Sequence, residues 1–518
     1  MNKFYITAAI PYVNAKPHIG HALEFIQVDA LKRYHQTLGQ ESLSLSGGDE
    51  NALKNVRAAE KTGQPFKKFI DENTEAFRQL AIKLNAEFDI WQKGSDQKHH
   101  FPSSQKLWGL CSKDIYKKAY KGLYCVGCES FYNLEDLNEN GECFEHPGKK
   151  LEEIGEENYF FALSKYQDKI IQIIENGTLR IVPEFRKNEI LSFLKNGLVD
   201  ISISRSNERA KNWGVSVPND PTQIIYVWFD ALNIYQSGIG FGWDEKTYNK
   251  WWPADLHVIG KGISRFHAIY WPAFLLSAGL SLPKGLLIHG YLTVDGKKIS
   301  KSDPSTIIDP VPIIEKYGVD AIRYYLLAKV SPFEDGDFSE SKLIKTYNAD
   351  LANGLGNLMS RVLTMVENYC EGKIPEISQD PDSHFLRVDE NIYNWKKVWA
   401  DLDQSMADFR FNDALASVWR FIGEADKYID THKPWEMAKQ GKTEELNWVL
   451  YGLLDSLHQI AWQICPFLPQ TSQKIAEALG IKRLLVENPL NKDSRTNLKP
   501  GDKIKKPMAL FPKLDKDF

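Results

Sequence analysis

A strand that runs into a proline-punctuated loop and then a long helix leaves this chain few folds to choose from. Lys3 to Ala9 carries Phe, Tyr and Ile among small residues and predicts a buried strand. Pro11, Asn14 and Pro17 punctuate the loop that follows. From His18 onward, Ile19, Ala22, Ile26, Val28, Ala30 and Leu31 keep helical spacing as far as Gly39. A second strand, Ser42 to Leu45, ends in Gly47-Gly48-Asp49-Glu50, and helical stretches continue to residue 117, one of them begun by Pro65. Strand, loop, helix, strand, helix predicts an α/β domain with a Rossmann-like, nucleotide-binding parallel sheet.

The pattern changes near Lys118, where short strands, Gly and Asn turns and clustered cysteines predict an insertion reaching residue 222. The sheet is expected to resume at Ile224-Ile225-Tyr226-Val227-Trp228-Phe229, then at Leu256 to Gly260 and Leu286 to His289. From Leu343 amphipathic helical patterns dominate. The expected division is 1–117 and 223–295 for two halves of a catalytic domain, 118–222 for the insertion and 296–342 for a linking region. A helical domain over 343–480 and a tail over 481–518 packing back on the body complete it. A chain of 518 residues exceeds a single core, which agrees with several units. The net charge of −4 excludes a general nucleic-acid coat while leaving room for a local basic patch. With no leader pattern, no apolar run of about 20 residues and only six cysteines, a cytoplasmic protein outside the membrane is expected.

Three motifs carry chemistry. In Pro17-His18-Ile19-Gly20-His21, two histidines three apart share one face of a helix's first turn, where unpaired N–H groups and the dipole favour anions. Gly20 between them admits close approach of a ligand to the backbone. Alone, the pair equally describes surface histidines or two metal ligands lacking partners. In Val294-Asp295-Gly296-Lys297-Lys298-Ile299-Ser300-Lys301-Ser302-Asp303, Lys298 and Lys301 sit in a loop rich in ammonium and hydroxyl donors. Such a loop suits a triphosphate and its departing pyrophosphate, although alone it also reads as a solvated turn. Cys125-x-x-Cys128 and Cys143-x-x-His146 supply four ligands at the spacing of a closed, tetrahedral structural zinc site. A redox pair at Cys125 and Cys128 is the alternative.

The histidine helix start and the lysine loop together resemble the paired signatures of class I aminoacyl-tRNA synthetases. Ala9-Ile10-Pro11-Tyr12-Val13-Asn14, Tyr226 to Leu232, Ile259-Gly260-Lys261, Phe266-His267-Ala268, Glu157 to Phe161 and Lys433-Pro434-Trp435 resemble the methionyl-tRNA synthetase family. The resemblance runs from residue 4 to about 480. It implies activation of L-methionine by magnesium-bound ATP to methionyl-adenylate and pyrophosphate, then transfer to the 3′-terminal adenosine of tRNA(Met), including the initiator. On that resemblance His18, Gly20, His21, Gly260, Lys298 and Lys301 bind ATP, with the two histidines and two lysines catalytic. Ile10, Tyr12, Asp49, Trp228, Ala231, Leu232, Tyr235 and His267 hold methionine, Asp49 by its ammonium. A thioether is well held by aromatic faces and edges, a role Phe266 and Trp271 share, although plain core packing would explain the same aromatics. Arg205 resembles a functional arginine of the family. The helical half resembles its α-helical anticodon-binding bundle, with Asn353, Asn357 and Arg361 as a polar stripe and Trp435 as a stacking plane. One structural zinc per chain and a monomer are expected, the latter because no appended dimerising module follows the helices.

The chain departs from the family pattern at three places. Asp49-Glu50-Asn51-Ala52 stands where the family has Asp-Glu-His-Gly, Gly262 replaces a usual Asp, and Ile299 replaces the commonest Met. Other readings are another class I synthetase, such as the cysteine enzyme with its zinc in the catalytic pocket, or a non-catalytic tRNA-binding relative. The isoleucine, valine and leucine enzymes carry a large editing insertion for which this chain has little space. A plain nucleotidyltransferase would leave the helical half unexplained.

Overall fold

The computed structural model describes residues 3–125, 130–132, 137–143, 148–299, 306–377, 395–481, 498–505 and 509–514. The chain forms two compact units, one of Met1–Val28 with Ser42–Tyr291 and one of Asp29–Glu41 with Leu292–Phe518.

In the first unit the strands in chain order begin with β1 (Lys3–Ala8), β2 (Glu41–Gly48) and β3 (Ile90–Lys93). The insertion supplies β4 (Ile115–Cys125), β5 (Ser130–Tyr132) and β6 (Glu152–Phe161), followed by β7 (Arg180–Val182), β8 (Ile201–Ser202) and β9 (Ser204–Ser206). Then come β10 (Ser216–Val217), β11 (Asp220–Ile225), β12 (Leu256–Gly260) and β13 (Gly285–His289). The main sheet has the order β3-β2-β1-β12-β13-β7. Its pairings of β1 with β12, β12 with β13, β13 with β7 and β2 with β3 are parallel. The chain leaves β1 toward β2 and β3, then crosses to the far side before β12 and β13 fill the middle. That reversal puts the switch point between β1 and β12, and ligands of open α/β sheets bind beyond the strand ends there. The loop to His18 follows β1, and β12 ends at Gly260 with Lys261 directly after it.

Two sequence expectations give way to tertiary context. Ile224 to Phe229 is not a strand of the main sheet. Ile224 and Ile225 end β11, which pairs antiparallel with β9 and β10, and Val227–Leu232 is a helix. A short apolar run is buried in either conformation, so periodicity alone does not separate them. The stretch 118–222 also returns a strand, β7, to the edge of the parallel sheet. A second sheet of the insertion pairs as β5-β4-β6-β8, with β4 and β6 antiparallel from Ile115↔Phe161 to Tyr124↔Glu152.

The helices used below are α1 (Ile19–Thr37), α2 (His100–Leu110) and α3 (Val227–Leu232). In the second unit the lysine segment opens as a hairpin, β14 (Leu292–Val294) against β15 (Lys297–Lys298), turning at Asp295 and Gly296. Both turn residues have positive φ, 49° and 79°, the requirement of a tight two-residue hairpin. A third strand, β16 (Gly336–Phe338), runs parallel to β14. The helices Asn357–Cys370, Trp395–Ala407, Phe411–His432 and Thr443–Ile464 pack on one another as the amphipathic patterns predict. Among the described residues, no helix is long and apolar enough to cross a membrane.

Candidate active site

The helix start is capped by the histidines themselves. The first intrahelical bond runs from Ala22 N–H to the His18 carbonyl, which makes His18 the capping residue. Gly20 N–H donates to His18 Nδ1 at 3.1 Å, and His18 N–H donates to His21 Nδ1 at 3.2 Å. This is a reciprocal capping box in which two imidazoles do the work usually done by a hydroxyl and a carboxylate. Each ring receives an amide proton at Nδ1, so its own proton sits on Nε2. The rings lie 4.0 Å apart, and His21 packs edge-on against Phe77 at 4.8 Å. Both are half-buried. Gly20 leaves room for the His18 ring: a Cβ there would lie 2.9 Å from His18 Cε1 and would force the ring to shift. One turn later Glu24, 9% exposed, accepts from Ala9 N–H and faces His289 Nε2, both at 2.9 Å, tying the ends of β1 and β13 to α1.

Of the residues assigned to methionine, Trp228, Ala231, Leu232 and Tyr235 belong to one apolar cluster of the first unit, and Ile10 and Tyr12 pack against it. Trp228 stacks on Phe266 with ring centres 3.6 Å apart and planes 4° off parallel, and Tyr12 meets Trp228 edge-on at 6.1 Å. Phe266–Tyr270 is wound as a π-helix, a local widening common at functional sites. Tyr235 donates to His267 Nε2 at 2.8 Å, while His267 Nδ1–H donates to the Ile263 carbonyl at 2.9 Å. Ala231 and Leu232 are buried on α3 beside them. Trp271 is fully buried and faces Trp252, so it belongs to the supporting core.

Burial holds His267 down to about 4, and His257, bonded to Thr7 beneath the Tyr235 ring, is pushed well below the ordinary value by burial and then by His267. Both rings therefore stay neutral in the fold. Between pH 6.5 and 4 the unfolded chain takes up protons that the folded chain refuses, so stability is full above 6.5 and falls as pH drops. For His267 the loss amounts to about 3 kcal/mol. The urea midpoint should decline steadily from pH 7 to 4.5, and His267→Gln should flatten that slope. Identical pH curves for both proteins would contradict the assignment.

Asp49 is buried at the end of β2, where its N–H donates to the Pro11 carbonyl at 2.9 Å and Asn55 Nδ2 donates to its carbonyl at 2.7 Å. Glu50 accepts from Thr74 Oγ1 at 2.6 Å and from both donors of Ser95. Asn51, where the family pattern has His, donates to the Gly94 carbonyl at 2.8 Å and to Asp230 at 2.7 Å. Arg205 lies against the Tyr226 ring at 4.3 Å and donates to Ser202 Oγ and the Ser204 carbonyl. It lines a small cleft with Asn51, Arg209 and Trp213. Glu24 and Asp230 escape a motif-based reading, although each is a lone carboxylate inside an apolar stretch, which is a readable signal of a buried partner.

Other motif residues fall elsewhere. Lys298 lies in β15 of the second unit, and Lys301 lies outside the described residues. Cys125 and Cys143 are buried, whereas Cys128 and His146 lie outside the described residues. Among the described residues no group of three or more His, Cys, Asp or Glu is placed to hold a metal ion. Asn353 and Asn357 are exposed; Asn353 lies in the π-helix Tyr347–Gly356, while Asn357 and Arg361 lie four residues apart on the α-helix Asn357–Cys370. Arg361 is bridged to Asp426 and Asp430 of the neighbouring helix at 2.6 Å each, partners the sequence reading omits. Trp435 is half-buried.

The family model described as "tRNA synthetases class I (M)" matches residues 4–363, and "Anticodon-binding domain of tRNA ligase" matches 392–515. The methionine–tRNA ligase of Thermotoga maritima is 41% identical over all of this chain and 81% of its own length. That of Brucella suis is 39% identical over 92% of each chain. The Mycobacterium tuberculosis methionyl-tRNA synthetase in complex with methionyl-adenylate superposes with a TM-score of 0.92 at 35% identity, covering 99% of this chain and 100% of that one. A parallel sheet with a histidine-capped helix beyond its switch point, an aromatic cluster in the same unit and these matches lead to one conclusion: the chain belongs to the methionine–tRNA ligase family of class I aminoacyl-tRNA synthetases.

Proposed function

We propose how the residues of this chain divide the family's reaction. A carboxylate oxygen of L-methionine attacks the α-phosphorus of magnesium-bound ATP, and the bond to the β-phosphate breaks with its electron pair leaving on pyrophosphate. The 3′-terminal ribose hydroxyl of tRNA(Met), initiator included, then attacks the activated carbonyl, and AMP departs. The observation that carries this reading is the reciprocal cap at His18 and His21, which puts the proton of each ring on Nε2 at the N-terminus of a helix beyond the switch point. Those N–H groups stabilise charge growing on the phosphate, a positional and electrostatic form of catalysis. Gly20 and Gly260 keep the backbone accessible to ATP. Lys298 and Lys301 take the departing phosphates, an assignment resting on the motif alone.

Asp49 accepts the substrate ammonium, while Ile10, Tyr12, Trp228, Ala231, Leu232, Tyr235 and His267 enclose the thioether. The neutral His267–Tyr235 pair offers polarity without charge, which an uncharged side chain requires. Arg205 serves the same site. Asn353, Asn357, Arg361 and Trp435 read the anticodon, with Arg361 held in place by its two carboxylates. Cys125, Cys128, Cys143 and His146 hold a structural zinc; the burial of Cys125 and Cys143 suits a closed thiolate site that braces the insertion. The domain limits remain those read from the sequence, apart from β7. The enzyme works as a cytoplasmic monomer.

Amino-acid-dependent ATP–pyrophosphate exchange, run across the twenty amino acids, tests the activity. Exchange should depend on methionine. Dependence on cysteine alone would favour the cysteine enzyme, and no exchange with any amino acid would favour a non-catalytic relative. Metal analysis of the purified protein should find zinc at a one-to-one ratio.

A further inference from the structure

The apolar helix α3 carries one charged residue, Asp230, and it is only 1% exposed. A buried carboxylate is costly unless donors surround it, and here three do. His100 Nε2 and Ser104 Oγ, both from α2, reach Asp230 Oδ1 at 2.8 Å each, and Asn51 Nδ2 reaches Oδ2 at 2.7 Å. Behind them His100 Nδ1 meets Ser237 Oγ at 2.7 Å, and Asn233 Nδ2 donates to Ser103 Oγ at 2.9 Å. Asn51 Nδ2 faces two oxygens, those of Asp230 and the Gly94 carbonyl, so its amide has one orientation. Such a network, fully occupied at Asp230, has a single low-energy arrangement.

Its placement gives that rigidity a use. Asp49 lies two residues before Asn51, and Trp228 lies two residues before Asp230, with Ala231 and Leu232 directly after it. We infer that the Asn51–Asp230 hydrogen bond is a positioning strut that sets the spacing between the carboxylate taking the substrate's ammonium and the wall enclosing its side chain. The inference rests on the proposed role of Asp49. It also assigns a job to a departure from the family pattern: Asn51 supplies the amide donor that Asp230 requires.

A donor–acceptor swap tests it in ATP–pyrophosphate exchange. Asn51→Asp sets two carboxylates face to face, and Asp230→Asn sets two amide N–H groups face to face. Each single variant should raise the methionine KM about tenfold, the worth of one hydrogen bond to a charged group, with the ATP KM unchanged. The double variant restores one donor opposite one acceptor, though not the bond to Gly94, and should recover most of the methionine KM. A double variant as poor as the product of the singles, or equal rises in both KM values, would overturn the strut. Should the charged variants not fold, Asn51→Ala reads the same KM split without adding charge. Asp49→Asn, measured alongside, separates the two readings: an unchanged methionine KM there refutes the role of Asp49 whatever the strut variants do.

Discussion

His21→Ala should lower kcat for methionine-dependent ATP–pyrophosphate exchange by about 10²–10³-fold, the cost of one preorganised donor to transition-state charge. The methionine KM should stay near its original value, because the pocket residues are separate side chains. Stability should fall by about 1–2 kcal/mol, since the substitution removes the helix-cap hydrogen bond from His18 N–H to His21 Nδ1 and the ring contact with Phe77. A second substitution separates the two roles of this residue. His21→Glu creates the ordinary capping-box carboxylate three residues into the helix, so it should regain the cap's part of the lost stability. The same carboxylate faces the phosphate, so its exchange rate should be lower than that of the alanine variant. An alanine variant within tenfold of the original rate would leave His21 a cap and nothing more.

Arg323→Leu should destabilise the second unit by about 3–5 kcal/mol, the usual cost of breaking a buried ion pair from one side. Arg323 is fully buried, with Nη2 at 2.6 Å from Asp29. Its Nε donates to the Phe467 carbonyl at 2.6 Å and its Nη2 to the Pro466 carbonyl at 3.1 Å, both just past the helix Thr443–Ile464. Removing the guanidinium leaves Asp29 with Arg33 at 2.8 Å and strips two chain carbonyls of their donor. Burial lowers the Arg323 pKa from its ordinary value, and Asp29 counters that, so the pair stands or falls together. Adding Asp29→Leu should return part of the loss, because it removes the carboxylate that Arg323 no longer meets, although Arg33 then loses its Asp29 partner. Urea unfolding followed by tryptophan fluorescence reads both variants. A loss under about 1 kcal/mol for Arg323→Leu would show the pair to be dispensable.

The legible parts of this protein are those that local pattern dictates. Lys3–Ala8 and Ile19–Thr37 form where a short apolar run, proline placement and helical spacing require them, and the histidine motif falls at the helix start that those patterns imply. Ile224 to Phe229 misleads because an apolar run buried on all sides satisfies strand and helix alike, and its packing partners decide. Arg180–Val182 is too short to announce that it returns to the main sheet. Asn51 reads as a loss against the family pattern, yet it bonds Asp230 across 179 residues of sequence, a contact no window along the chain contains. Arg361 reads as a base contact from its spacing, while its two carboxylate partners come from another helix.

What the amino-acid order determined by itself is the set of chemical groups and their local geometry: a histidine pair on a helix start, a carboxylate after the second strand and aromatics around a helix turn. These follow from near-neighbour physics, in which sterics, capping and periodicity act within a few residues. The tertiary structure alone decided how those groups are oriented. The neutrality of His267 and the tie between Asn51 and Asp230 depend on burial and on partners distant in sequence. Desolvation and long-range hydrogen bonding exist only once the chain has closed on itself.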